Sequence, residues 1–154
     1  MVNLDVAYVP TPKGIVRRML RLARVRRGEM VFDLGAGDGR ILIEAVRAFG
    51  ARATGVEVDP ERLTRIQERL TATSTEAKVI RGDLMAVNVS SADVIAIYLS
   101  ASVNTKLAPK LRNELKAGAR VVSLDYLLPG WVPEQELTVK SGGVRRKIYL
   151  YRVA

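Results

Sequence analysis

Three glycines in five positions, Gly35, Gly37 and Gly39, interrupt the segment VFDLGAGDGR (31–40), with Asp33 before them and Asp38 among them. Val31 and Phe32 read as a strand and RILIEAV resumes a helical pattern, so the glycines stand where a strand hands over to a helix. Glycine admits positive φ and close approach of a ligand to the backbone. The start of the following helix offers unpaired N–H groups. This turn points to a site for a polar small molecule.

The same alternation continues along the chain. Strands are predicted at Met30 to Leu34, Ala53 to Val58, Ala77 to Arg81, Ala92 to Leu99 and Arg120 to Asp125, with helices from Gly39 to Phe49, Pro60 to Thr73 and Ser102 to Lys116. Before them, Thr11 is the expected N-cap and Pro12 the first residue of an amphipathic helix. That helix buries Ile15, Met19 and Leu22 and leaves Arg17, Arg18, Arg21 and Arg24 elsewhere. The tail reads as an antiparallel hairpin, Glu136 to Lys140 and Arg146 to Val153 about Ser141-Gly142-Gly143. The expectation is an α/β fold: a doubly wound, Rossmann-like seven-stranded sheet with helices on both faces and a C-terminal antiparallel hairpin.

Composition narrows the chemistry. With 154 residues, 48% of them hydrophobic, the chain suits one domain over 1–154, made of an N-terminal segment (1–28) and a core (29–154). No run of 18 apolar residues occurs and the start lacks a signal peptide's apolar stretch, so a cytoplasmic protein without membrane contact is expected. The absence of cysteine and histidine removes thiolate nucleophiles, an imidazole base and ordinary zinc sites. The net charge of +9 favours acidic or phosphate-bearing partners.

In doubly wound sheets ligands bind beyond the carboxyl ends of the strands. Asp33 to Gly39, Glu57, Gly82-Asp83 and Tyr98-Leu99-Ser100 all fall there. Glu57 lies 22 residues after Gly35, the separation at which an acidic residue accepts from ribose hydroxyls, so an adenosine-like ligand is expected. Asp83 is placed to accept from an adenine amino group with Leu84 or Met85 against the base, or to cap a turn. The motif is G-x-G-x-G rather than G-x-G-x-x-G, and Asp33 and Asp38 inside it would repel a pyrophosphate while welcoming an ammonium group and tolerating a sulfonium.

DLGAGDG, GVEVD and RGDL, in this order and at these intervals, resemble the nucleotide-binding motifs of the class I, seven-strand methyltransferases that use S-adenosyl-L-methionine. The resemblance implies Asp33, Gly35 and Gly37 at the methionine end of the cofactor, Glu57 at the ribose and Asp83 at the adenine. Leu34, Ala36, Asp38, Val58, Gly82, Leu84 and Tyr98 complete the expected contacts.

For the methyl acceptor, the end of the fourth strand reads IAIYLSAS and lacks the Asn/Asp-Pro-Pro-Tyr signature of enzymes acting on exocyclic base amines. The segments YVPTP, GIVRRML, YLSASVNTKLAPKLRNELKAGARVVSLDYLLPGW and KIYLYRV together resemble the archaeal seven-strand protein-lysine methyltransferases, which are similar in catalytic architecture to the non-SET histone-lysine methyltransferases. This resemblance implies that residues 1–28 supply a loop over the methionine moiety, with Tyr8, Val9 and Thr11 as cofactor contacts, Thr11 either capping its helix or bonding the cofactor carboxylate. Tyr98 and Tyr8 are the expected walls of a lysine slot, Ser100 and Asn104 orient the amine, and Asp125 and Tyr126 line the mouth; the structural alternatives are Tyr98 as a strand-end anchor, Asn104 as a helix-end group and Asp125 as a loop cap. Trp131 reads as a packing plug. The expected partners of a monomeric enzyme are proteins with exposed lysines, nucleoprotein among them, with nucleic acid touched through the basic surface. The alternative is an RNA or DNA methyltransferase.

Overall fold

The computed structural model describes residues 10–154, and the alternation of strands and helices is realised with small shifts at the element ends. The chain runs α1 (Lys13–Leu22), β1 (Met30–Leu34), α2 (Arg40–Phe49), β2 (Arg52–Glu57), α3 (Pro60–Ala72), β3 (Lys78–Arg81), β4 (Val94–Ile97), α4 (Ala101–Glu114), β5 (Arg120–Leu124), β6 (Gln135–Ser141) and β7 (Val144–Arg152). One seven-stranded sheet results, ordered β3-β2-β1-β4-β5-β7-β6. Neighbours among β1 to β5 pair parallel, and β7 lies antiparallel between β5 and β6. Every residue of β4 and β5 is buried, as strands covered on both faces require.

Successive side chains feed opposite layers. Val31, Val94, Ala96, Val122 and Leu124 join Ile15, Met19 and Leu20 of α1 and Ile41 of α2 in one cluster. Phe32, Leu34, Ile95, Ile97 and Val121 join Val103, Leu107 and Leu111 of α4 in another. Residues 82–93 contain no helix; Leu84, Met85, Val87 and Val89 lie against the α4 layer. At the amino end of the sheet, the buried Arg120 donates to the carbonyls of Ala23 and Arg24 at 2.9 and 3.0 Å and pairs with Glu29, tying the end of α1 to β5.

Strands β1 to β3 progress outward, and the chain then returns to place β4 on the other side of β1. This reversal opens a crevice beyond the carboxyl ends of β1 and β4. Its floor depends on Gly55 in β2. A Cβ there would stand 2.7 Å from Leu42 of α2 and 2.9 Å from the Ala36 methyl of the glycine turn, so only glycine lets the turn lie this close to the sheet. Two details differ from expectation. Thr11 is not the helix cap, because α1 starts at Lys13 after Pro12 with no side-chain capping bond. The hairpin turn is the two residues Gly142 and Gly143 alone, since Ser141 already pairs with Val144; both glycines have positive φ, the conformation that matches strand twist in a two-residue turn.

Candidate active site

The glycine turn is held by β2. Gly35 leaves β1 with φ +83°, and the N–H groups of Gly35 and Ala36 both donate to the Val56 carbonyl, at 2.9 and 3.0 Å. The buried Glu57 continues the anchoring: Oε1 accepts from Gly37 N at 2.9 Å, and Oε2 accepts from Val58 N and Asp59 N at 3.0 Å. One carboxylate thereby joins the turn to the corner between β2 and α3.

The two aspartates of the motif have different tasks. Asp33 is 3% exposed and, among the described residues, has no hydrogen bond or ion pair. Burial pushes its carboxyl well above the usual range, and the charges of Glu57 and Asp38 add to the rise. Asp38 meets two guanidinium groups instead. Arg40 Nε donates to both its oxygens at 3.0 and 3.1 Å, and Arg69 Nη1 reaches Oδ2 at 3.1 Å. Burial raises the Asp38 carboxyl, but the Arg40 hydrogen bonds and the two positive charges outweigh it and hold the group below its ordinary value. Contrary to the expectation that both aspartates act on the ligand, Asp38 is neutralised by its neighbours, and Asp33 alone of this pair keeps an uncompensated carboxyl. Arg40 also donates to the Thr11 carbonyl at 2.7 Å, fastening the segment before α1 to the turn.

One cleft, with about 960 Å³ of empty space open to solvent, gathers most of the expected residues. Thr11, Asp33, Gly35, Ala36, Gly37 and Asp38 line it from the turn side; Glu57, Val58, Gly82, Asp83, Leu84 and Tyr98 complete it from the ends of β2, β3 and β4. Asp83 Oδ1 accepts from Met85 N at 2.8 Å, the turn-capping role, while the side chain borders the cleft. Tyr8 and Val9 lie outside the described residues.

Three expected contacts are displaced. Leu34 is fully buried in the α4 layer, because its strand position points away from the cleft. Ser100 caps α4, its Oγ accepting from Val103 N at 3.2 Å. Asn104 is also fully buried and donates to the Tyr126 and Leu127 carbonyls at 3.3 and 3.1 Å, so it shapes the loop after β5 rather than facing a substrate amine. Trp131 packs as expected, with Nε1 donating to the Ala108 carbonyl at 3.2 Å and its edge against Tyr151.

Tyr98, which lines the cleft, also belongs to an aromatic and charged cluster with Tyr126, Asp125 and Arg146. The Tyr98 and Tyr126 rings stack at 6.4 Å between centroids, 18° from parallel. Arg146 of β7 donates from Nη1 to the Tyr98 hydroxyl at 3.0 Å and to Asp125 Oδ2 at 2.8 Å. Neither Arg40 nor Arg146 was legible as a site residue. Arg40 stands two residues from Asp38, a local signal; Arg146 is 48 residues from Tyr98, with none.

A sequence model of the ANTKMT methyltransferase domain matches residues 33–135. A protein-lysine N-methyltransferase of Saccharolobus islandicus is 40% identical over 149 residues, covering 95% of this chain and 92% of that protein. An adenine nucleotide translocase lysine N-methyltransferase of Mus musculus is 38% identical over 133 residues, 85% of this chain and 58% of that protein. The crystal structure of an RNA methyltransferase from Salinibacter ruber, in complex with S-adenosyl-L-homocysteine, is similar with a TM-score of 0.87 and 39% identity, covering 94% of each chain.

Proposed function

Because the chain belongs to the ANTKMT methyltransferase-domain family, class I enzymes that use S-adenosylmethionine, we propose that it methylates the side-chain amines of lysines exposed on protein surfaces. The observation that carries the cofactor half of this reading is Asp33: a buried carboxyl with no partner among the described residues accommodates a cationic ligand and none that is purely anionic. In this assignment Asp33 receives the cofactor's ammonium group. Glu57 offers its remaining lone pairs to the ribose hydroxyls. Asp83 and Leu84 hold the adenine, and Gly35 lets the methionine portion lie against the backbone. Thr11 covers that end.

When bound, S-adenosylmethionine would supply an activated methyl group: the lone pair of a neutral lysine amine would form the new N–C bond as the S–C bond breaks in line, with S-adenosylhomocysteine as the leaving group and a proton passing to solvent. The protein's work is alignment and access to the neutral amine. A free lysine has a pKa of about 10.4, so at neutral pH roughly one amine in a few thousand is ready; the ring faces of Tyr98 and Tyr126 offer a place where the amine sheds water. The Tyr98 face also suits the cationic product. Orientation of the two reactants contributes about 7–11 kcal/mol in favourable cases, which makes a dedicated strong base dispensable.

The relatives from Saccharolobus islandicus and Mus musculus, described as lysine methyltransferases, support the protein reading. A cleft open to solvent supports broad specificity, and nucleoprotein fits the net charge of +9, since phosphate contacts would hold the enzyme beside a basic substrate. A second reading, methylation of RNA, is favoured by the Salinibacter ruber relative and opposed by IAIYLSAS at the end of β4. Radiolabelled S-adenosylmethionine incubated with the protein and a lysate separates them. Label that survives nuclease, is lost with protease and maps to lysine supports the proposal; label lost with nuclease alone overturns it.

A further inference from the structure

We propose that Arg146 is a positioning residue for methyl transfer, holding Tyr98 in place through its phenol oxygen while Asp125 holds Arg146. The inference rests on the lysine reading above. Strand β5 ends at Leu124, opposite Ile148, whereas β7 begins at Val144, so β7 overruns β5 at the end of the sheet where the cleft lies. Arg146 therefore projects past the last residue of β5. There Nη1 donates both to Tyr98, at 3.0 Å, and to Asp125, at 2.8 Å, with the guanidinium carbon 5.9 Å from the Tyr98 ring centroid.

The support behind Arg146 is itself fixed. Asp125 has φ +66°, a left-handed conformation uncommon outside glycine, and is pinned to β7 by its N–H donating to the Lys147 carbonyl at 2.7 Å. Tyr126, which stacks on the ring, is held by its carbonyl, which accepts from Ser123 Oγ at 2.6 Å and Asn104 Nδ2 at 3.3 Å. Elements β4, β7 and the loop after β5 thus converge on Tyr98, the sole aromatic lining the cleft among the described residues. The arginine–aspartate pair is half-buried at this end of the sheet. Its consequence lies in the ring: with one phenol lone pair taken by a rigid, always charged guanidinium, Tyr98 cannot turn away from the path of the incoming amine.

The test is a double-mutant cycle, Arg146→Met, Tyr98→Phe and both together, in the full chain, with a protein substrate whose labelled lysine has been mapped. S-adenosylhomocysteine titration and melting temperature are measured alongside. Each single change is expected to lower kcat by about ten- to a hundred-fold while leaving S-adenosylhomocysteine affinity within about two-fold, because both keep the aromatic ring that lines the cleft and remove only the bond that aligns it. The double variant is expected to be no slower than the slower single one, since both changes remove the same bond. Multiplying losses, an unchanged kcat in Arg146→Met, or a fall in cofactor affinity equal to the fall in kcat would overturn the assignment. Should Arg146→Met not fold, Asp125→Asn with Tyr98→Phe runs the cycle from the other side of the relay. Wild-type protein that labels no lysine removes the lysine reading and this one together; wild-type labelling with independent losses removes this one alone.

Discussion

The carboxyl of Asp33 sits buried at the end of β1 among Glu57 and Asp38, where holding a negative charge is costly. Its folded-state pKa lies above that of the unfolded chain, so the native state keeps a proton that the unfolded state releases. Its contribution therefore erodes stability as pH rises from the unfolded value through the raised folded one. Asp33→Asn is expected to raise the melting temperature of the cofactor-free protein at neutral pH and to flatten that dependence. The same change is expected to weaken S-adenosylhomocysteine by roughly 10- to 150-fold, the loss of a charge-assisted hydrogen bond of about 1.5–3 kcal/mol. In the wild type the affinity rises with pH over the range in which free Asp33 loses its proton; in the variant that component vanishes. Calorimetry and thermal melts across pH check both halves, and a variant that binds as tightly as wild type removes Asp33 from the site.

At the scale of elements, the closeness of the glycine turn to β2 is set by what Gly55 lacks. An alanine there meets Leu42 and Ala36 at 2.7 and 2.9 Å, both inside the packed layer under α2. Gly55→Ala is expected to cost about 1–3 kcal/mol by overpacking, and to weaken S-adenosylhomocysteine because Ala36 belongs to the turn. Gly14 in α1 is the contrast: nothing lies within 4 Å of a Cβ there, and its backbone is helical. Gly14→Ala is expected to stabilise by about 0.5–1 kcal/mol through helix propensity alone. Denaturant melts of the pair give opposite signs; equal signs would mean that the turn is not held by this contact. Asn104 and Ser100 teach the same lesson at α4, where a polar residue near a site serves the element first.

Across the whole molecule, charge is distributed unevenly. Asp38, Asp59, Asp93 and Glu114 are engaged in ion pairs, while the guanidinium groups of Arg18, Arg21 and Arg24 on and after the exposed side of α1 have no acidic partner among the described residues. A lysine-rich substrate alone meets repulsion from such a surface, and a substrate bound to nucleic acid meets attraction. Methylation of a DNA-bound basic protein is therefore expected to fall steeply between about 50 and 200 mM salt, while methylation of the same protein without DNA does not fall. S-adenosylhomocysteine affinity, set inside the cleft, should change little. Parallel rate measurements at several salt concentrations decide it, and indifference of the DNA-bound reaction to salt sinks the nucleoprotein proposal.

The chain alone determined its strand order class, its glycine turn and the acidic residues at the ends of β1, β2 and β3, because each rests on local rules: period, turn chemistry, and spacing between neighbouring units. It also led to the methyl donor, since DLGAGDG, GVEVD and RGDL are contiguous motifs. Tertiary structure alone decided which carboxylates are spent. Asp33 and Asp38 look alike in sequence, and only folding brings Arg69 of α3 to one and leaves the other without a partner among the described residues. It alone placed Arg146 on Tyr98 and sent Leu34 and Asn104 into the interior. Pairings between residues tens of positions apart depend on how far β7 overruns β5 and on which way a strand residue faces, quantities that no window of sequence contains.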